Sequence, residues 1–208
     1  VEVDVTQTGM QPPNPPGPGR SPRTVTQLMH YSIVKLPAQP MMPRLADRRV
    51  GYISTTFTDY GRPDHEAKLR SYIHRFRLEK QNPSAAVSDP VTPIVFWIDP
   101  ATPEWLVPYV KEGIEQWNAA YREAGFSNAI EGRLAPTPEQ DSTFSLFDAR
   151  HSVIYWRASR TPNATGGQIV DPRSGEIVKA EVNMFHNIMD LQRRWYFTQV
   201  SPIDARAR

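Results

Sequence analysis

The chain contains no cysteine, which excludes disulfides and thiolate metal sites and fits either an oxidising or a reducing compartment. It has no apolar run approaching the ~18 residues of a membrane-crossing helix. No signal peptide is visible, and a chain beginning on Val1 is expected to be cut from something longer. Charge of one sign is also missing. Lys and Arg total 24 against 22 Asp and Glu, and the resulting +2 is too mild to require a nucleic-acid or membrane partner. Glycine is sparse at 11 residues, and no phosphate-cradling loop exists, since Gly166-Gly167 lacks a following Lys-Ser/Thr and helix. Proline, in contrast, is abundant at 21 residues and implies many loops and irregular connections. A length of 208 residues, 39% apolar with five Trp, supports one ordinary domain, or one plus a fragment of another.

The strongest structural signal runs from Thr92 to Ile130. Ile94-Val95-Phe96-Trp97-Ile98 reads as a buried strand, broken by Asp99-Pro100. Thr102-Pro103 then reads as a helix start, with a hydroxyl cap and a proline at the first helical position. Leu106, Val110, Ile114, Trp117, Tyr121 and Ala124 recur at spacings of three and four, which predicts one long apolar helix face. Pro108 lies too deep for an ideal first turn, so a separate opening turn or a kink is expected there. Gly125 sits where a left-handed residue ends the helix, with Phe126 folding back on it.

Around this unit the pattern is mainly β. Val1–Thr6 alternates as a half-exposed strand, and 24–36 has strand character, so the Pro-rich, partly polyproline stretch 11–22 joins two neighbouring strands. Residues 49–57 form another strand, and 65–80 reads as a short helix or turn leading into a strand. Residues 131–148 read as a polar loop and His151–Trp156 as a strand. Gly166-Gly167 and 171–175 are turn clusters bracketing a short 168–170 segment. Glu176–Phe185 alternates, with Ile177, Lys179, Glu181 and Asn183 on one face and Val178, Ala180, Val182 and Met184 on the other. A second helix spans about 187–197.

The candidates for chemistry are weak on their residues alone. His65-Glu66 is followed by Leu69 where a zinc-protease helix needs its second histidine, and His74 lies nine positions on, so a solvated pair is the plainer reading. His30, His151 and His186 are isolated. A metal site assembled from separated histidines stays open, but nothing in the spacing points to one. Glu104, Glu112, Glu115 and Glu123 share one helix, which does not supply the opposed environments of an acid–base pair. Lys68, Arg70, Arg75, Arg77 and Lys80, interleaved with Tyr72 and Phe76, are diluted by five nearby acids, so no nucleic-acid groove is expected.

Several blocks, taken in order, carry a resemblance. They are 48–52 with 57–60, 72–80, 93–99, 113–118 with 124–126 and 128–130, 148–156, and 171–177. Together they resemble the large bacterial zinc-dependent metallopeptidases of metzincin-like type, which carry an uncharacterised β-rich domain ahead of the peptidase. The resemblance covers nearly the whole chain from about Thr24. It implies a β-rich remnant of the preceding domain over 1–60 and the upper, non-catalytic half of the peptidase over 61–208. In that family a helix of HExxHxxGxxH type, bearing the zinc ligands and the general base, follows the segment resembling 195–208. This sequence has no such motif, so no catalytic residue, no metal ligand and no cofactor are expected in it, zinc belonging to the full-length relatives.

The fold expected is α+β, a mixed, mostly antiparallel sheet packed on the Pro103–Ala124 helix, resembling the N-terminal subdomain of metzincin-like peptidases. In such peptidases the strand before the catalytic helix edges the cleft and pairs antiparallel with substrate. The resemblance puts Glu176–Phe185 in that position, so Lys179, Ala180, Glu181, Val182 and Asn183 are the expected substrate-binding residues, acting through their backbone. An ordinary interior strand is the equal alternative. The function implied is that of a metallopeptidase fragment, inactive alone, with a peptide or protein substrate and an extracytoplasmic location. The rival is a non-enzymatic binding or assembly module using the same sheet edge.

Overall fold

A computed structural model describes residues 1–11, 23–61, 63 and 65–207. The conformation expected for the Pro-rich stretch lies outside the described residues, apart from its first position. Two hairpins come first. Strands β1 (Glu2–Gln11) and β2 (Arg23–Ser32) pair antiparallel, as the flanking alternation implies, and β3 (Ser54–Asp59) pairs antiparallel with β4 (Lys68–Ile73). The short helix entertained near residue 65 does not form. Leu69, Tyr72 and Ile73 instead lie in a strand opposite Thr58, Thr55 and Ser54, so the strand comes earlier in the segment than expected. The expected division at residue 60 therefore runs through the connection of a single hairpin.

The core is a five-stranded sheet in the order β6-β5-β7-β9-β8. Its strands are β5 (Ile94–Ile98), β6 (Ile130–Leu134), β7 (Ser152–Arg157), β8 (Ala164–Asp171) and β9 (Glu176–Phe185). The α+β class and the mixed sheet stand, but the antiparallel majority does not hold for this sheet. The β5–β6, β5–β7 and β7–β9 ladders are parallel, and β8–β9 alone is antiparallel. Parallel neighbours need a covered crossover, and the helical segment after β5 provides it between β5 and β6.

That segment is not one long helix. Residues 102–106 form an opening turn, and α1 (Val107–Glu115) starts beyond it with Pro108 inside its first turn, where no amide partner is lost. After α1 the ladder tightens, with Trp117 N–H bonding Ile114 O and Ala119 N–H bonding Gln116 O, before α2 (Asn118–Glu123) resumes. The tightening shifts the phase of the apolar stripe. Leu106 and Ile114 are buried, and Ile114 joins Ile94, Ile98 and Ile130 in the central cluster, but Trp117 is 64% exposed. Its expected core position is thereby corrected. Trp117→Ala is expected to cost no more than about 1 kcal/mol, read from denaturant midpoints, because a mostly exposed ring loses little burial. The helix end is as expected. Gly125 has φ +89°, its N–H bonds Arg122 O, and Phe126 N–H returns to Tyr121 O.

Two further segments depart from the sequence reading. Residues 131–134, expected in a loop, belong to β6, and Gly166-Gly167, expected in a turn, lie inside β8. The last helix, α3 (Ile188–Trp195), continues into a π-helical turn at Tyr196–Val200. Among the described residues no helix is long and apolar enough to cross a membrane.

The hairpin region and the sheet are sewn together at the start of β9. Arg75 N–H bonds Gly175 O, and Ile177 N–H bonds Arg75 O. Arg77 grips Glu176 with two bonds, Nε to Oε1 at 2.8 Å and Nη2 to Oε2 at 2.7 Å. A bidentate guanidinium–carboxylate pair fixes orientation as well as position.

Candidate functional site

The strand expected to edge the sheet is interior. β9 has β7 on one side and β8 on the other, and Glu181, Val182 and Asn183 are paired with both. Lys179 and Ala180 pair with Ile169 and Gln168 of β8, and the Ala180 N–H is taken by Ser152 Oγ at 3.0 Å. The backbone of Lys179–Asn183 is therefore not free to bind a peptide, which settles the two readings of this strand in favour of the interior one. The period-two split of its faces holds, but the Lys179 side chain is not exposed. Val182 and Met184 face a groove with Leu106, Val110 and Ile114, whereas Lys179 is 4% exposed under the loop that precedes β7. Its Nζ lies 3.4 Å from Leu146 O and 3.3 Å from Asp148 O. Burial pushes the ammonium's pKa down, partly opposed by the charges of Glu181, Asp148 and Glu2. Asp148 itself is held at about 2, chiefly by the hydrogen bonds it accepts from the Arg150 side chain.

The sheet has two outer strands, β6 and β8, and they differ sharply. At the start of β6 the outward groups are already occupied. Asn118 Oδ1 accepts from Ala129 N–H at 2.8 Å and from Ile130 N–H at 3.2 Å, and its Nδ2 donates to Ile130 O at 2.8 Å. Further along, Gly132 N–H points at Glu115 Oε1 at 3.5 Å. A side chain from the helix thus plays the part of a neighbouring strand. The signal for this was present, because an asparagine inside the helix expected over 103–124 is unfavourable unless its side chain bonds elsewhere.

Along β8 the orientation follows from alternation. Phe185 N–H bonds Asn163 O across the ladder, and Ala180 N–H turns toward β7, so Lys179, Glu181 and Asn183 direct their amides to β8. Their partners Ile169, Gly167 and Thr165 point inward, leaving Ala164, Gly166 and Gln168 with N–H and C=O groups pointing out. The Ala164 N–H is taken by Asn163 Oδ1 at 2.8 Å. Gly166 and Gln168 have no backbone partner on that side among the described residues. Residues 161–167 are all exposed.

Beside this edge the Gln168 side chain reaches His74. Its Nε2 lies against Nδ1 of the ring, and Thr55 Oγ1 is 2.7 Å from Nε2 of the same ring. An amide N–H given to Nδ1 leaves the Nε2 proton for Thr55, and burial pushes His74's pKa down, which favours the neutral ring this chain needs. The contact pins the middle of β8 to the hairpin region. On the sheet's other face, the Arg157 guanidinium lies 4.0 Å from the Tyr155 ring centre, with Nε bonding Asn183 Oδ1 at 3.0 Å. Burial, and then the Glu181 charge, push the Tyr155 hydroxyl up to about 12, so it stays a donor, here to Leu146 O.

Residues 1–81 match the family described as Domain of unknown function (DUF5117). The match takes in both hairpins and ends ahead of β5. It covers less than half of the chain. No curated protein and no solved structure matches the chain.

Metal chemistry finds no ligand set here. Among the described residues no three His, Asp or Glu side chains converge on a point that could hold an ion. Three of the five histidines have separate partners: His30 bonds Asp4 Oδ1 at 2.7 Å, His151 Nδ1 lies 2.9 Å from Ser145 O, and His186 packs edge-on to Trp156.

Proposed function

We propose that this chain holds an extended peptide against the outer edge of β8, and that it is the upper, substrate-holding half of a zinc-dependent metallopeptidase of metzincin-like type. The supporting observation is the contrast between the two sheet edges: Asn118 and Glu115 cover the first half of the β6 edge, whereas Gly166 and Gln168 leave the middle of the β8 edge open. An open edge offers a peptide main-chain hydrogen bonds, and glycines there let a second backbone approach closely. The sequence resemblance supplies the reaction class, peptide-bond hydrolysis by zinc-activated water, and implies an extracytoplasmic location. On this reading the zinc ligands and the general base are not among the described residues. The edge itself has moved, from the interior β9 to β8.

Proline scanning tests the edge. Gly166→Pro removes an outward N–H and is compatible with an edge strand, so the fold should survive and peptide binding should weaken at least tenfold. The probe is a fluorescein-labelled Thr-Val-Thr-Lys-Thr-Val-Thr peptide followed by anisotropy. Gly167→Pro removes an inward N–H of the β8–β9 ladder and should lower stability instead, seen by circular dichroism. Unchanged peptide affinity in a folded Gly166→Pro variant would remove the edge from consideration.

A further inference from the structure

Because β9 is interior, its backbone cannot touch a ligand, and only its side chains can. One of them is placed to do so. Glu181 lies directly across the ladder from Gly167. A Cβ built on Gly167 would stand 3.6 Å from Glu181 Cγ and 3.7 Å from Oε1, so the carboxylate leans over the glycine toward the outer edge. The missing side chain at 167 leaves nothing of β8 between that carboxylate and the space where a further strand would lie.

The carboxylate has no direct partner among the described residues. Glu181 is half-buried, its charge supports that of Lys179 without forming an ion pair, and the nearby cations are turned elsewhere. Lys179 Nζ faces the Leu146 and Asp148 carbonyls, and Arg157 Nε bonds Asn183 with its guanidinium over the Tyr155 ring. A partly buried carboxylate without a direct partner is the kind of group that gains from a cation brought by a ligand.

Resting on the edge reading above, we infer that β8 selects extended peptides carrying a lysine or arginine side chain at the position opposite Gly167, with Glu181 as the anion that receives it. The strand spacing agrees. Adjacent strands lie about 4.8 Å apart, so a peptide residue opposite Gly167 would start about 5 Å from the glycine over which the carboxylate leans, within reach of a long cationic side chain. In an antiparallel pairing the outward groups of Gly166 and Gln168 make the hydrogen-bonded pairs. Gly167 then falls in a non-hydrogen-bonded pair, where facing side chains approach most closely. The basic side chain thereby fixes the register of a peptide whose main chain alone could slide. Glu181 is a specificity-determining residue on this inference, although it lies one strand in from the edge.

The test compares the labelled Thr-Val-Thr-Lys-Thr-Val-Thr peptide with versions carrying norleucine or glutamate in place of lysine, against the wild-type chain, Glu181→Gln and Gly166→Pro. The wild type should bind the lysine peptide about tenfold more tightly than the norleucine one, and the glutamate peptide more weakly than either. Glu181→Gln should bring the lysine-to-norleucine ratio near one while leaving the norleucine affinity unchanged. If Gly166→Pro weakens every peptide but Glu181→Gln leaves the ratio intact, the role of Glu181 is wrong and the edge reading stands. If Gly166→Pro changes nothing, or no peptide binds at millimolar concentration, the edge reading falls and this inference falls with it.

Discussion

Gly175→Ala is expected to destabilise the chain by about 3 kcal/mol or more, combining left-handed strain with overpacking. Gly175 has φ +74°, a region that alanine adopts only at a cost. Space is the second obstacle. A Cβ at this position would collide with the carbonyl oxygen of Ile73 and approach that of Tyr72 at 3.5 Å, and both are backbone atoms that cannot swing aside. The site also lacks slack. The Gly175 N–H bonds Asp171 O at 2.8 Å, its carbonyl accepts from Arg75, and Asp171 and Ser174 of the same turn are fully buried. Chemical denaturation followed by tryptophan fluorescence would measure the loss. A change below about 1 kcal/mol, the size of an ordinary substitution, would show that the turn has room to rearrange.

Asn118→Ala is expected to cost about 3 kcal/mol and to create a new association surface. The substitution removes one acceptor shared by two amides and one donor to a carbonyl, at Ala129 and Ile130, which are 0% and 8% exposed. Buried amides left without partners carry their full desolvation penalty, about 1–3 kcal/mol each. Losing the cap would also leave the β6 edge open, so the variant should self-associate in sedimentation velocity at concentrations where the wild type does not. Asn118→Asp keeps the acceptor and loses only the donor, so it should fall between the two. A monomeric, fully stable Asn118→Ala would mean that water replaces the side chain at no cost.

What was legible in the sequence was the identity of elements whose patterns are local. Glu176–Phe185 as a strand, Ile94–Ile98 as a buried one, the Asp171–Gly175 turn and the Gly125 helix end all follow from residues within a few positions of one another. Strand direction and neighbourhood were not legible. The alternation of β9 is compatible with an edge or with an interior place, because a loop carrying Leu146 and Asp148 covers its second face and turns Lys179 into a buried cation. β6 was hidden by its own composition: Glu131, Gly132 and Arg133 read as loop, and their strand geometry is imposed by β5 on one side and Asn118 on the other. The glycines of β8 read as a turn for a related reason, since they leave the strand without side chains at the point where the edge is open. Trp117 followed the helical period in the sequence and left it in three dimensions, where the ladder tightens so that Asn118 can reach the sheet.

The junction at Arg75–Arg77 bears on the order in which the chain matures as it is synthesised. Arg77 meets Glu176 across 99 positions of sequence, and Arg75 takes its backbone partners from 175 and 177. At a translation rate of roughly 5–20 residues per second, this stretch must wait about 5–20 s for its partners to leave the ribosome. The β3–β4 hairpin can form in microseconds from its own residues, but a two-stranded hairpin is marginal alone. The nascent chain therefore carries an unpaired segment beyond β4 until the 99 positions from Arg77 to Glu176 have been made, and the closing of the β8–β9 turn is the event that ends that exposure.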